Sequence, residues 1–128
     1  MVAIGLNPSQ ADETTNDPTI RRIIGFADDW GYGRLLVVNL FAYCATYPSD
    51  LRQASDPIGS ENDAWIKKAI EASDLTLIAW GNQGLHLGRD RVVLAFLNQP
   101  QCMGTTQLGA PKHPLYLPKS TKPRPCAP

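Results

Sequence analysis

Short apolar runs alternate with longer stretches of helical periodicity along this chain, and that alternation limits its fold more than any other feature does. Val2-Ala3-Ile4-Gly5-Leu6 is the first run, stopped by the turn pair Asn7-Pro8. The polar stretch from Ser9 to Asn16 carries no period. Asp17-Pro18 then opens a helix, because the carboxylate can cap free N–H groups and proline suits the first helical position. Ile20, Ile23, Ile24 and Ala27 follow at helical spacing up to Trp30, and Gly31-Tyr32-Gly33 ends the pattern. Leu35-Leu36-Val37-Val38 is apolar at every position, which predicts a strand covered on both faces, as central parallel strands are. Beyond Asn39-Leu40-Phe41, Pro48 and Pro57 predict an irregular loop. Asn62 to Ala72 forms the second helical pattern, with Trp65, Ile66, Ala69 and Ile70 on one side. Leu75 to Trp80 is a third strand ended by Gly81, Val92 to Leu97 anchors a third helix, and Gln101 to Gly104 is a weak fourth strand.

Right-handed crossovers between such elements give a parallel sheet with helices on both faces. The prediction is an α/β fold: a three-layer α/β/α sandwich whose four-stranded, mostly parallel sheet has the order 2-1-3-4. A chain of 128 residues is the size of one domain. Residues 1–117 form that domain, and 118–128, with four prolines, form an extended, basic, Pro-rich tail. The chain opens directly into a strand, an abrupt start that leaves room for natural residues ahead of Met1.

Twelve basic residues balance twelve acidic ones, so no global field points to nucleic acid or to a membrane surface. Locally, Lys112, Lys119, Lys122 and Arg124 follow Ala110 with no acid among them. Two readings stand for them, a solvated tail and a phosphate-contacting patch. Cys44, Cys102 and Cys126 form no C-x-x-C pair, which argues against a zinc or iron–sulfur site and predicts reduced thiols in a cytoplasmic protein. No apolar run approaches the roughly 20 residues of a membrane span, and no secretory signal precedes the first strand. Gly81-Asn82-Gln83-Gly84 is too short for a phosphate loop and lacks its lysine, so neither a bound nucleoside triphosphate nor any other cofactor is predicted.

In the order 2-1-3-4 the chain reverses between strands 1 and 3, and ligands of open α/β sheets bind beyond the carboxyl ends of the strands at such a switch. Asn7, Pro8 and Ser9 leave strand 1 there, Gly81 and Asn82 leave strand 3, and Asn39 and His113 flank them. Asn7 can orient a water or read a polar ring, or it can close a turn on its own backbone. Asn39 follows an apolar run and needs partners: it either ties down a loop or presents its amide to a ligand, with Phe41 or Tyr43 as a stacking surface. His113 lies on a loop between Lys112 and Pro114, where an imidazole can donate to a carbonyl or leaving group. Asp12 is a carboxylate able to activate water, Arg22 can bind an anion or pair with Asp17 or Asp28, and His86 suits local structural work.

Several motifs carry a resemblance. Gly5-Leu6-Asn7-Pro8-Ser9 with Ala11-Asp12, Asp17-Pro18-Thr19-Ile20-Arg21-Arg22, Val38-Asn39-Leu40-Phe41-Ala42, Ala79-Trp80-Gly81 and Lys112-His113-Pro114-Leu115-Tyr116-Leu117-Pro118 resemble an uncharacterised bacterial and phage family, domain of unknown function 1643. The same motif order resembles, more distantly, the uracil-DNA glycosylase superfamily. That resemblance implies a glycosylase-like fold in which Asn7 positions water, Asn39 reads a base edge and His113 stabilises the departing base. Asn7 stands where the fastest glycosylases carry Asp, and His113-Pro114-Leu115-Tyr116 lacks the serine that follows His-Pro in their DNA-binding loop.

Two functions follow as expectations. One is an N-glycosidic hydrolase acting on a nucleobase-containing small molecule or DNA. Its catalytic residues would be Asn7, Asp12 and His113, and its substrate contacts would come from Pro8, Ser9, Arg22, Asn39, Phe41, Gly81, Asn82 and Lys112. The other is a non-catalytic module that binds a nucleotide or nucleic acid in the same cleft.

Overall fold

Val2–Gly5 forms β1, and its side chains alternate between two buried cores, Ala3 facing one and Ile4 the other. This computed structural model describes residues 1–8, 17–44, 47–115 and 117–126. β1 lies between two parallel neighbours. β2 (Leu36–Asn39) pairs with it from Val2↔Leu36 to Gly5↔Asn39, and β3 (Thr76–Ile78) from Val2↔Thr76 to Ile4↔Ile78. β4 (Gln101–Cys102) runs parallel beside β3, and β5 (Arg124–Pro125) runs antiparallel on β4.

The sheet therefore has the order 2-1-3-4-5 and is mixed, mostly parallel. The predicted strand count of four is corrected to five. β5 comes from the 118–128 segment, where a two-residue strand holding a proline leaves no alternating pattern to read. Proline suits an edge strand because it lacks a ladder donor, and the Cys126 N–H extends the pairing by donating to Pro100 O at 2.9 Å. Cys126 is thereby buried against Cys102, and burial first, then that neighbour, pushes its thiol up to about 12.

One helix covers one face of the sheet. α1 (Pro18–Asp29) starts where Asp17 accepts from the N–H groups of Thr19 and Ile20, and it buries Ile23, Phe26 and Ala27 against Ala3, Leu77, Ala79 and Met103. Burying side chains such as Ile23 and Phe26 contributes about 1.5–3 kcal/mol each. The opposite face packs Ile4, Ile78, Trp80 and Cys102 against Leu51 of α2 (Pro48–Gln53), Ile66 of α3 (Asn62–Glu71) and Val93 of α4 (Arg89–Leu94). α2 corrects the irregular loop expected there: Pro48 stands at a first-turn position, where its missing N–H costs nothing. α4 begins before Val92, after 3₁₀ turns over Asn82–Gly88 that break at His86 and Leu87.

β2 is an edge strand, partly exposed at all four positions. Its unbroken apolar run reports that both faces meet side chains, not that strands flank it on both sides. The segment after residue 116 is anchored over α1: Trp30 Nε1 donates to Thr121 O at 3.1 Å, and Arg22 Nη2 donates to Leu117 O. Among the described residues, no helix is long and apolar enough to cross a membrane.

Candidate functional site

All four parallel strands deliver their following loops to one edge of the sheet. There, pairing between β1 and β2 continues past the strands, with Leu40 N–H donating to Gly5 O at 3.0 Å and Phe41 N–H to Leu6 O at 2.9 Å. Asn39 is thus locked beside Gly5. A Cβ at Gly5 would fall 2.8 Å from Asn39 Oδ1, so only glycine leaves room for this amide.

The main chain around Asn39 is held by other residues. Asn62 Nδ2 donates to Asn39 O at 2.9 Å and to Leu40 O at 3.0 Å. Arg89, 2% exposed, donates from Nε to Leu40 O at 3.0 Å. Its Nη2 forms an ion pair with Asp63 Oδ1 at 2.8 Å, off the angle of a hydrogen bond. The Asn39 side-chain amide makes no hydrogen bond among the described residues, and it is half-buried at the mouth of the strand. Loop-tying, one of the two roles open to Asn39, is thus carried out by Asn62 and Arg89.

At the exit of β1, Asn7 Nδ2 donates to Pro8 O at 3.1 Å and to Tyr43 O at 3.3 Å, which fixes the orientation of its amide. Tyr43 is itself seated by N–H donation to Pro57 O at 3.0 Å, and its side chain is exposed. Phe41 is fully buried, with its ring 5.5 Å from that of His86. A base stacking on Phe41 would have to displace His86.

On the other side of β1, Gly81 donates its N–H to Pro111 O at 3.0 Å, and its Cβ position would lie 3.7 Å from His113 Cβ. His113 Nδ1 accepts from the Leu115 N–H at 3.3 Å, which assigns the proton of the neutral ring to Nε2. Burial lowers the His113 pKa, and the nearby Asp17 carboxylate opposes that shift more weakly. At neutral pH the ring is a neutral Nε2–H donor. Asn82 accepts from Thr106 Oγ1 at 2.6 Å, cross-linking the β3 exit to the loop after β4.

Of the residues predicted from sequence, the structure brings Asn7, Pro8, Asn39, Gly81, Asn82, Lys112 and His113 to this edge. Arg22 is used elsewhere, holding Leu117 and lying 5.3 Å from the Phe26 ring. Ser9 and Asp12 lie outside the described residues. Sequence reasoning missed Asn62, placed only at the start of a helix, and Arg89, which lies ahead of the predicted third helix, and it missed that Asp17 acts on His113 as well as capping α1. Among the described residues no group of three or more His, Cys, Asp or Glu could hold a metal ion.

Fold and site together define an α/β protein with one mixed sheet and an amide–imidazole cluster at the carboxyl edge of its parallel strands. The chain belongs to the family described as "Protein of unknown function (DUF1643)", whose model matches residues 1–115. No curated protein matches the chain, and no solved structure does. The likeness to uracil-DNA glycosylases therefore rests on the motifs themselves.

Proposed function

We propose that the carboxyl edge of the sheet binds a nucleobase and that the protein is an N-glycosidic hydrolase acting on a nucleobase-containing substrate. The observation carrying this reading is the Asn39 amide, placed over Gly5 with its main chain anchored by Asn62 and Arg89 and its side chain unengaged among the described residues. A carboxamide offers one donor edge and one acceptor edge, which suits the polar edge of a base. Asn39 on β2 and Gly81 beyond β3 are two strand spacings apart, roughly 10 Å, which leaves room for a base between Asn39 and His113. Tyr43, whose main-chain carbonyl accepts from Asn7 and whose side chain is exposed, supplies the stacking surface.

In the reaction, a water oxygen bonds to the anomeric carbon as the N-glycosidic bond breaks, and the electron pair of that bond leaves with the base. His113 Nε2–H donates to the base oxygen on which charge develops. Asn7 Oδ1 orients the water; an amide oxygen has two lone pairs and accepts from water beside any other donor. Asp12 is the assigned acceptor of the water proton.

One observation favours a second reading, a binding module without turnover. Asn7 is an amide whose Nδ2 already serves two carbonyls, and an amide does not take a proton.

The test is a thermal-shift screen against free bases, nucleosides, nucleotides and short uracil- or lesion-containing DNA, followed by chromatography for released base. Ligand at 100 times Kd should add about 2.7 kcal/mol of stability, and Asn39→Ala should abolish the shift. Released base lost in His113→Ala supports the hydrolase. A base-dependent shift with no product, unchanged in Asn7→Asp, supports the binding module. No shift with any of these ligands refutes nucleobase binding.

A further inference from the structure

We infer that Lys112 and Arg124, gathered over Gly104, form a phosphate subsite at the far end of the same cleft, taking the phosphate of the nucleotide whose base Asn39 reads. The inference rests on the nucleobase reading for its ligand but on separate residues for its geometry.

Gly104 follows β4 with φ +107, a left-handed conformation. The point where its Cβ would stand is 3.1 Å from Arg124 Nη2, 3.3 Å from Lys112 Cδ and 3.6 Å from Lys112 Cε. A guanidinium nitrogen and the Cδ–Cε segment of a lysine thus border the space that a side chain at this position would occupy. Both are positioned from the main chain. Arg124 is registered opposite Cys102 in the β4–β5 pair, and Lys112 N–H donates to Gly104 O at 2.9 Å across the loop closed by the Thr105↔Pro111 bridge.

Cationic side chains that border one point reinforce each other's attraction for an anion. Among the described residues no carboxylate pairs with either; the ion pair found there is Arg89–Asp63, on another part of the protein. Both side chains are exposed to an incoming ligand. Arginine presents a planar fork matched to phosphate oxygens, and lysine adds a point charge.

Placement along the sheet edge gives the subsite its partner. His113 follows Lys112 directly and sits at Gly81, one strand nearer to Asn39. The order along the edge is Asn39, Gly5, His113, then Lys112 with Arg124. From β2 to β4 is three strand spacings, roughly 14 Å, which accommodates a base, a sugar and a phosphate laid along the edge. Of the four basic residues after Ala110, Lys112 and Arg124 converge on one backbone point.

The test is calorimetric titration of the full chain with inorganic phosphate, with nucleosides, with their 3′- and 5′-monophosphates, and with a short oligodeoxynucleotide. The proteins are wild type, Lys112→Gln, Lys112→Gln/Arg124→Gln and Asn39→Ala, each checked for its melting transition. A monophosphate should bind wild type about tenfold or more tightly than its nucleoside. The double variant should lose that advantage, binding a monophosphate no more tightly than it binds the nucleoside, and Lys112→Gln, which leaves β5 intact, should lose part of it. Preference for the oligonucleotide, with a steeper salt dependence, assigns the phosphate to a nucleic acid strand; preference for the monophosphate assigns it to a free nucleotide. Equal affinity for nucleoside and monophosphate in wild type overturns the subsite and leaves the nucleobase reading standing. Phosphate binding that the double variant abolishes, without binding of any nucleoside, upholds the subsite and overturns the nucleobase reading. No binding of any probe overturns both.

Discussion

Replacing Gly5 by alanine probes the geometry at the heart of this site. The new Cβ would lie 2.8 Å from Asn39 Oδ1, a separation that real Cβ atoms essentially never show. Gly5 is not among the residues with positive φ, so alanine fits the backbone and only the amide must move. Turning the amide off its preferred rotamer costs about 0.5–1.5 kcal/mol. Against that, alanine restricts the unfolded chain and contributes about 0.4–1 kcal/mol of stability. Gly5→Ala should therefore change stability by less than about 1 kcal/mol in the wild-type background. In an Asn39→Ala background the clash is gone, and the same substitution should stabilise by about 0.4–1 kcal/mol. The coupling between the two positions is then about 0.5–1.5 kcal/mol, measurable by urea unfolding in a double-mutant cycle. Gly5→Ala should also abolish the thermal shift given by a nucleobase ligand, although the substitution removes no functional group. A coupling of zero would refute the placement of the amide over Gly5. Unchanged ligand affinity in Gly5→Ala would refute the role of that placement in recognition.

Two other perturbations address what supports the site. Arg89→Ala should destabilise by about 2–4 kcal/mol, since it removes a buried charged donor from Leu40 O and leaves Asp63, still 44% exposed, to solvent. Because Asn62 Nδ2 donates to the same carbonyl, Arg89→Ala with Asn62→Ala should cost more in urea unfolding than the two single changes added together; simple additivity would refute the shared anchor. His113 gives a pH signature: its folded-state pKa lies below the ordinary value of about 6.5, so the unfolded chain binds more protons just below that pH. Its contribution to stability is complete above about pH 6.5 and is lost as pH falls toward the lowered folded value. The loss between pH 7.5 and 5.5 should be smaller in His113→Gln, and equal losses would refute the buried neutral imidazole.

The parallel part of the sheet was legible in the sequence because each of its first three strands is a short apolar run with a marked end: Asn7-Pro8 after β1, Asn39 as the last residue of β2, Gly81 after β3. α1 was legible for the same reason, with Asp17-Pro18 marking a cap that the structure confirms bond by bond. What escaped is stabilised by partners remote in sequence. β5 is two residues long and exists through pairing with β4, and α2 is six residues long and buries Leu51 without a periodic stripe. The candidate site divides along the same line. Asn7, Asn39 and His113 stand next to strand ends or in a distinctive loop, so their positions announced them, whereas the bond from Arg89 to Leu40 spans 49 positions.

That division bears on how variants of this site are to be read. A polar residue at a strand end often serves two purposes at once, holding its own loop and touching a ligand, and replacing it then confuses lost folding with lost function. On the proposed reading the two fall to different residues here. Asn62 and Arg89 hold the carbonyls of Asn39 and Leu40, and β1 holds the adjoining N–H groups of Leu40 and Phe41. The Asn39 side chain adds nothing to that scaffold among the described residues, so removing it should leave the melting transition of the ligand-free protein within about 0.5 kcal/mol of wild type. A loss of ligand response in Asn39→Ala then reports on recognition, while the same loss in Arg89→Ala reports on the scaffold. A marked destabilisation of ligand-free Asn39→Ala would contradict the separation and return Asn39 to the role of a structural tie.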